Sequence, residues 1–69
     1  MATWHQQRAG FYRATSATEW RVYVDPPNDI ATLSEYDNES AARQYAANVA
    51  YHHPNLARWV FVVPPRPIK

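Results

Sequence analysis

The residues of this chain best suited to acid-base or metal chemistry are its histidines, but their spacing argues against a shared site. His52 and His53 are adjacent, so they cannot lie on one helix face as metal ligands four residues apart do. His5 is distant in the sequence, and the chain has no cysteine. We therefore expect no metal and no cofactor. The histidine pair suits a helix C-terminus, where a protonated imidazole interacts favourably with exposed carbonyls.

The serines and carboxylates form no catalytic pattern. Ser16, Ser34 and Ser40 coexist with histidines and aspartates, but a catalytic triad is defined by geometry and not by composition. Asp37 and Glu39 have a sufficient structural role at the start of a helix, where they stabilise the first turn. A single glycine cannot build a phosphate-binding loop. The sequence predicts a protein that is not an enzyme.

Aromatic residues interleaved with arginines come closest to a binding motif. Such a set can stack the bases of single-stranded nucleic acid. The sequence pI of about 8.2 is modest, however, and no ribonucleoprotein-type motif is present. Single-stranded nucleic-acid binding is therefore the alternative function. The pairs concerned are Trp4 with Arg8, Tyr12 with Arg13, and Tyr23 with Arg21.

Charge is segregated along the sequence. All six acids fall within residues 19–39, where the only base is Arg21, so this stretch carries a net charge of −5. The remaining residues carry six bases and no acid. Such a molecule could be a dipole whose field steers a charged partner. A solvated acidic hairpin balanced by basic ends explains the same pattern.

Length and composition predict one small domain in a reducing compartment. The 69 residues, 46% of them hydrophobic, suffice for a single core, and without cysteine there is no disulfide framework. The N-terminal residues lack the apolar core of a signal peptide. The longest apolar run, residues 59–63, is too short to span a bilayer. We expect a cytoplasmic protein with no membrane partner.

The elements that would position these residues are two strands, a helix and a further strand. Alternating β-branched and aromatic residues predict the strands, and a proline-rich turn joins the first two as a hairpin. Capping residues begin the helix, and Pro54 ends it. The predicted strands cover residues 19–24, 30–36 and 58–63, and the predicted helix covers residues 39–51.

The order of these elements predicts an α+β fold. Residues 19–63 form a ββαβ domain, a three-stranded antiparallel sheet of order 2-1-3 with the helix packed on one face. An N-terminal arm, residues 1–18, precedes it, and residues 11–13 form either a short edge strand or a tethering segment. A proline-rich basic tail, residues 64–69, follows. The expected core is the helix stripe of Ala42, Tyr45, Ala46, Val49 and Ala50 against Trp20, Val22, Val24, Trp59 and Phe61.

The sheet face away from the helix, here called the second face, is also predicted to be apolar. If the alternate residues of the last strand face the helix, Val60 and Val62 point to the second face with Tyr23. Three explanations stay open. The arm, with Trp4 and Tyr12, folds over this face; the protein forms a homodimer through it; or the face binds another macromolecule.

The layout of residues 20–69 resembles that of the small RNA-polymerase inhibitor made by short-tailed coliphages. Both have a hairpin, one alanine-containing helix, a last strand and a proline-bearing basic tail, which here are residues 20–36, 38–51, 58–63 and 64–69. The resemblance rests on element order and length, and it carries over no functional residue. It implies a class of phage-encoded proteins that bind one host machine and alter it.

The first functional hypothesis is a small protein-interaction module, encoded by a phage or prophage and acting in the bacterial host cell. It binds and inhibits or redirects a host protein complex, such as RNA polymerase or a defence complex. Its acidic hairpin edge or its aromatic second face would make the contact. The candidate partner-binding residues are Trp4, Tyr12, Arg21, Tyr23, Asp25, Asp29, Glu35, Val60 and Val62.

Overall fold

The computed structural model describes residues 3–7, for which it gives the backbone, and residues 14–27 and 29–67. One antiparallel sheet has the strand order β1-β3-β2-β4, and one α-helix packs on it against β2, β3 and β4. Within the described residues, no helix has the length and apolar character needed to cross a bilayer. The elements are β1 Thr3–Gln7, β2 Trp20–Val24, β3 Ala31–Tyr36, α1 Glu39–His52, a 3₁₀ helix Pro54–Trp59, and β4 Val60–Val63.

The predicted α+β fold is confirmed. The three predicted strands are β2, β3 and β4, and their observed order, β3-β2-β4, is the predicted order 2-1-3. β2 is the central strand because it pairs antiparallel with both β3 and β4. α1 covers one face of these three strands.

β1 adds a fourth strand that the sequence did not predict. It pairs antiparallel with β3, so that Thr3 lies opposite Glu35 and Gln7 lies opposite Ala31. Its residues fall in the predicted arm, and the predicted edge strand at residues 11–13 lies outside the described residues. The polar sequence of β1 shows no apolar alternation, so its pairing follows from the backbone groups that β3 offers at its edge.

The buried cluster beneath the helix consists of Val22, Tyr36 and Ala42. Ala42 is fully buried, and its small side chain lets α1 approach the sheet closely. The predicted helix stripe is confirmed for Ala42, Tyr45, Ala46 and Val49, since Tyr45 and Ala46 also pack on this cluster and Val49 is buried, whereas its last member, Ala50, is half-buried.

Local signals set both ends of α1. The side-chain oxygen of Asn38 accepts a hydrogen bond of 2.8 Å from the backbone N–H of Ala41, which caps the first turn. At the other end the N–H of His53 donates to the carbonyl of Val49, at 2.8 Å. Pro54 then begins the 3₁₀ helix.

The prediction that the last strand begins at residue 58 is wrong. Arg58 and Trp59 belong to the 3₁₀ helix, and β4 begins at Val60. Tight turns hold this segment, because the N–H of Val60 donates to the carbonyl of Ala57. These local bonds keep the apolar residues before β4 out of the extended conformation.

The predicted faces of the last strand are also wrong. The register places Val62 opposite Val22, and directly opposed residues of an antiparallel pair point to the same face. Val60 and Val62 therefore pack on the core beneath the helix. Phe61 lies opposite Tyr23 and belongs to the second face. The prediction exchanged the two faces of this strand, because a shift of one residue turns every side chain to the opposite face.

A segment of the chain itself is hydrogen-bonded to side chains of the second face. We call residues 14–19 the strap. The hydroxyl of Tyr23 donates to the Ala14 carbonyl at 2.7 Å, and Arg21 donates to the same oxygen at 3.2 Å. The tail is attached to the strap, because the N–H of Arg66 donates to the Ser16 carbonyl at 2.7 Å. The strap is therefore hydrogen-bonded both to side chains of β2 and to the tail that follows β4.

Candidate partner-binding groove

An open groove of about 430 Å³ lies between the last two turns of α1 and the turn that joins β2 to β3. Its apolar lining is contributed by the end of β2, the turn, the helix and the 3₁₀ helix. This mixture of a mainly apolar lining with a few polar groups is typical of binding sites. The apolar residues apart from Tyr45 are Val24, Pro26, Ile30, Val49 and Leu56.

One stripe of α1 forms the helical wall of the groove. Tyr45, Asn48, Val49 and His52 have the spacing of a single helix face. Val49 is buried, whereas Asn48 and His52 are exposed. The stripe therefore passes from the core to solvent, and its outer residues can contact a bound molecule.

The turn between β2 and β3 forms the opposite wall. Ile30 is 58% exposed, although it is a large aliphatic residue, and it lies beside Asp29 at the groove. The backbone N–H of Ile30 donates to the Asp29 carboxylate at 2.7 Å. This bond orients the carboxylate, and the described residues that line the groove include no lysine or arginine. Asp29 therefore gives this rim of the groove a negative charge.

Exposed aromatic groups flank the groove at the end of α1. Tyr51 is 81% exposed, and its ring meets that of His52 edge to face, with centroids 5.1 Å apart. His52 and His53 both line the groove. Tyrosine is among the residues that contribute most binding energy at protein interfaces, so Tyr51 is well placed as a contact residue.

The inner part of the helical wall rests on a pair of tyrosines. Tyr45 stacks on Tyr36 with ring centroids 5.9 Å apart and an interplanar angle of 29°. Burial raises the pKa of both phenols above the ordinary value, and the charge of Tyr36 raises that of Tyr45 further. The neighbouring Ser34 side chain partly offsets the effect on Tyr36. Both rings stay neutral at physiological pH, which keeps this wall aromatic and uncharged.

The polar groups of the groove suit hydrogen bonding to a bound partner. Asp29, Thr32, Asn48 and the two histidines supply both donors and acceptors around the apolar lining. Across the part of the chain that the structure describes, no group of three or more His, Asp or Glu side chains could hold a metal ion. The arrangement can bind an apolar side chain and fix its orientation.

Three predicted site residues come together on the second face. Arg21 pairs with Glu35, Nε to Oε2 3.0 Å, and also donates to the Tyr23 hydroxyl at 3.3 Å. Burial alone would lower the pKa of Arg21, but its bonds to Tyr23 and Glu35 outweigh that effect and raise it. Tyr23 is only 1% exposed. It therefore offers no surface on which a base or a partner could stack.

The other predicted site residues are separated. Asp29 lies at the groove, whereas Asp25 is buried and donates its backbone N–H to the carbonyl of Trp59 at 2.9 Å. Val60 and Val62, as shown above, pack beneath the helix. Trp4 lies in β1 opposite Ser34 in the strand register. Tyr12 lies outside the described residues.

The sequence prediction missed the groove because its residues come from two separate stretches of the sequence, 24–32 and 45–56. One signal was present: the helix stripe of Tyr45 and Val49 continues to the polar residue His52. A stripe that extends beyond the apolar residues indicates that the helix projects past its core. Only the fold shows that the turn carrying Ile30 stands opposite.

Comparison of the chain with models of protein families, with curated proteins and with solved structures found no match. The candidate site is therefore defined by the geometry described above.

Proposed function

We propose that this chain is a small, non-enzymatic protein-interaction module that binds a host protein complex through the groove and inhibits or redirects it. The observation that carries the proposal is an apolar groove lined by exposed Ile30, with the exposed ring of Tyr51 against the lining residue His52. A buried apolar contact surrounded by polar groups is the usual anatomy of a protein interface. The sheet and helix supply a rigid frame for it.

The chemistry of the groove favours one kind of partner segment. Its apolar lining fits a large aliphatic or aromatic side chain, and its size suits a single anchor residue. Among the described residues of the lining, Asp29 is the one carboxylate and no lysine or arginine is present, so a basic residue beside the anchor would be complementary. The proposed partner surface therefore presents an apolar anchor flanked by lysine or arginine.

The class of partner follows from the layout of the chain. The order of hairpin, helix, strand and basic tail resembles that of a small phage inhibitor of host RNA polymerase. On that basis we propose a phage or prophage origin, action in the bacterial cytoplasm, and bacterial RNA polymerase as the first partner to test. A host defence complex is the second.

The test is capture of bacterial RNA polymerase, purified and from lysates, by the immobilised full-length protein. We expect a saturable complex whose affinity falls about tenfold or more in Ile30→Ser, which removes an exposed anchor contact at little cost to the fold. Gln44→Ala, on the exposed side of α1, is the matched control and should bind as the wild type does. Transcription assays with the captured enzyme then measure inhibition.

Two results would count against the proposal. Absence of any saturable complex, with RNA polymerase and with complexes identified from several bacterial lysates, would remove the proposed activity. Equal binding by Ile30→Ser and wild type would remove the groove as the contact. Circular dichroism of both variants establishes that each is folded before the comparison is made.

A further inference from the structure

Among the residues that the structure describes, β4 is an edge strand of the sheet, and it lacks the usual protection against pairing. All of Val60–Val63 are apolar and none is fully buried, whereas central β2 buries three of its five residues. Exposed sheet edges commonly carry charged side chains or bulges that prevent further strands from adding. β4 has no charged residue within it. Its protection must come from elsewhere.

The hydrogen-bond pattern decides which backbone groups of β4 face the open edge. The N–H of Asp25 donates to the carbonyl of Trp59, in line with the β2–β4 register. Bonded and non-bonded residue pairs alternate along an antiparallel ladder. Phe61 therefore bonds with β2, whereas the backbone groups of Val60 and Val62 point away from it.

The open edge is rich in acceptors and poor in donors. The N–H of Val60 is already bonded to the carbonyl of Ala57. Pro64, the next residue in this alternation whose backbone points to the open edge, has no N–H. Val62 thus presents both a donor and an acceptor, and Val60 adds a second acceptor.

This shortage of donors makes a second copy of β4 a poor partner. Two β4 edges laid antiparallel could form only the bonds that their two Val62 N–H groups donate. An ordinary extended peptide carries an N–H at every alternate residue facing the edge, so it can satisfy both Val60 and Val62. Pairing with a second copy of β4 therefore forms fewer hydrogen bonds than pairing with an extended strand from another protein.

We propose that the β4 edge binds an extended segment of another protein, which adds antiparallel to β4 as a fifth strand. The segment donates alternate backbone N–H groups to the carbonyls of Val60 and Val62 and accepts from the Val62 N–H. Its apolar side chains contact Val60 and Val62 on the helix side and Phe61 on the second face. This surface is separate from the groove, and the inference goes beyond the proposed function and does not depend on it.

The probe is a capped heptapeptide of alternating threonine and valine, added to the ¹⁵N-labelled full-length protein. We expect amide chemical shifts to change along Val60–Val63, and hydrogen exchange of the Val62 amide to slow by about tenfold or more, because that N–H becomes bonded. In the free protein the Val62 amide should exchange faster than the Phe61 amide, which is bonded to β2.

Two N-methylated peptides provide matched controls. Methylating every backbone amide removes the donors from both edges of the peptide, whereas methylating only alternate amides leaves one edge with its donors intact. Binding should be lost with one of these peptides and kept with the other. Groove variant Ile30→Ser should bind the unmodified peptide as the wild type does, which separates this inference from the groove.

Three outcomes would overturn the inference. The first is no shift change along β4 at millimolar peptide. The second is equal behaviour of the two methylated peptides. The third is a solution mass of the free protein that rises with concentration and falls back in Val62→Pro, which would assign the edge to another copy of the chain, for example through the outer edge of its β1.

Discussion

Tyr36 combines a stabilising ring with a destabilising hydroxyl. Its ring belongs to the buried cluster and stacks on Tyr45. Among the described residues, its Oη is the buried side-chain polar atom without a hydrogen bond of ordinary geometry, although the nearby Ser34 side chain is close enough to lower its pKa. A buried hydroxyl without a partner lowers the free energy of unfolding, because on folding it loses its hydrogen bonds to water and gains none in exchange. The ring and its hydroxyl therefore act in opposite directions.

Replacing Tyr36 by Phe should keep the stack and remove the cost. We expect Tyr36→Phe to raise the free energy of unfolding at neutral pH by up to about 1 kcal/mol, measured by urea denaturation. Tyr51→Phe, at an exposed position, is the control and should change little. A clear loss of stability in Tyr36→Phe would mean that the hydroxyl is bonded after all.

The same variant tests the alkaline behaviour of the tyrosine pair. Burial raises the pKa of Tyr36 and Tyr45 in the folded state. As pH rises past the ordinary tyrosine value of about 10, the unfolded chain loses these protons first, so stability falls. The stability is complete below that pH and is lost as pH rises through the folded pKa values. Tyr36→Phe should lose less than the wild type over this range.

At the scale of elements, α1 was predicted closely because its signals are local. Asn38 caps the first turn, and Pro54 lies just beyond the end. β2 and β3 were also predicted within about one residue, since their β-branched and aromatic content and the proline turn between them are readable in short windows. The start of β4 was not predicted, because Arg58 and Trp59 are as compatible with a strand as with the 3₁₀ helix they form.

Removing the N-terminal cap of α1 should lower the stability of the protein. Asn38→Ala should lower the free energy of unfolding by about 1 kcal/mol, because the Ala41 N–H loses its acceptor. Asn38→Ser retains a suitable oxygen and should lie within a few tenths of the wild type. Urea denaturation followed by circular dichroism measures both. If Asn38→Ser lowered the free energy of unfolding as much as Asn38→Ala does, the Asn38 amide would stabilise the protein through something other than capping.

At the scale of the whole molecule, charges that are segregated in the sequence are partly paired in space. Glu35 bonds to Arg21 across the two hairpin strands, and Glu39 bonds to Arg43 one helical turn away, at 2.7 Å. The pair in α1 is exposed and contributes little, whereas the pair on the second face is mostly shielded from solvent. The acidic stretch therefore does not form one uninterrupted acidic surface.

A single core predicts cooperative unfolding. Residues of β2, β3, β4 and α1 share one buried cluster, and the strap connects the tail to the sheet. We expect tryptophan fluorescence and far-UV circular dichroism to report the same urea midpoint, as they do for two-state domains of this size. Glu39→Gln serves as a control that should leave the midpoint nearly unchanged. Separate midpoints would show that part of the sheet unfolds independently.

The sequence by itself determined the α+β class, the strands β2 and β3, the helix and its alanine-rich inner stripe, because periodicity and capping act within a few residues. Tertiary structure decided which residues of β4 lie on each face of the sheet: Val62 lies beneath the helix and Phe61 lies on the second face. The sequence does not specify this, because an all-apolar strand has no polar residue to mark its outer face. It also decided that β1 joins β3, that the strap accepts a hydrogen bond from Tyr23, and that Ile30 and His52 line one groove. Each of these is a contact between distant segments, which no local pattern encodes.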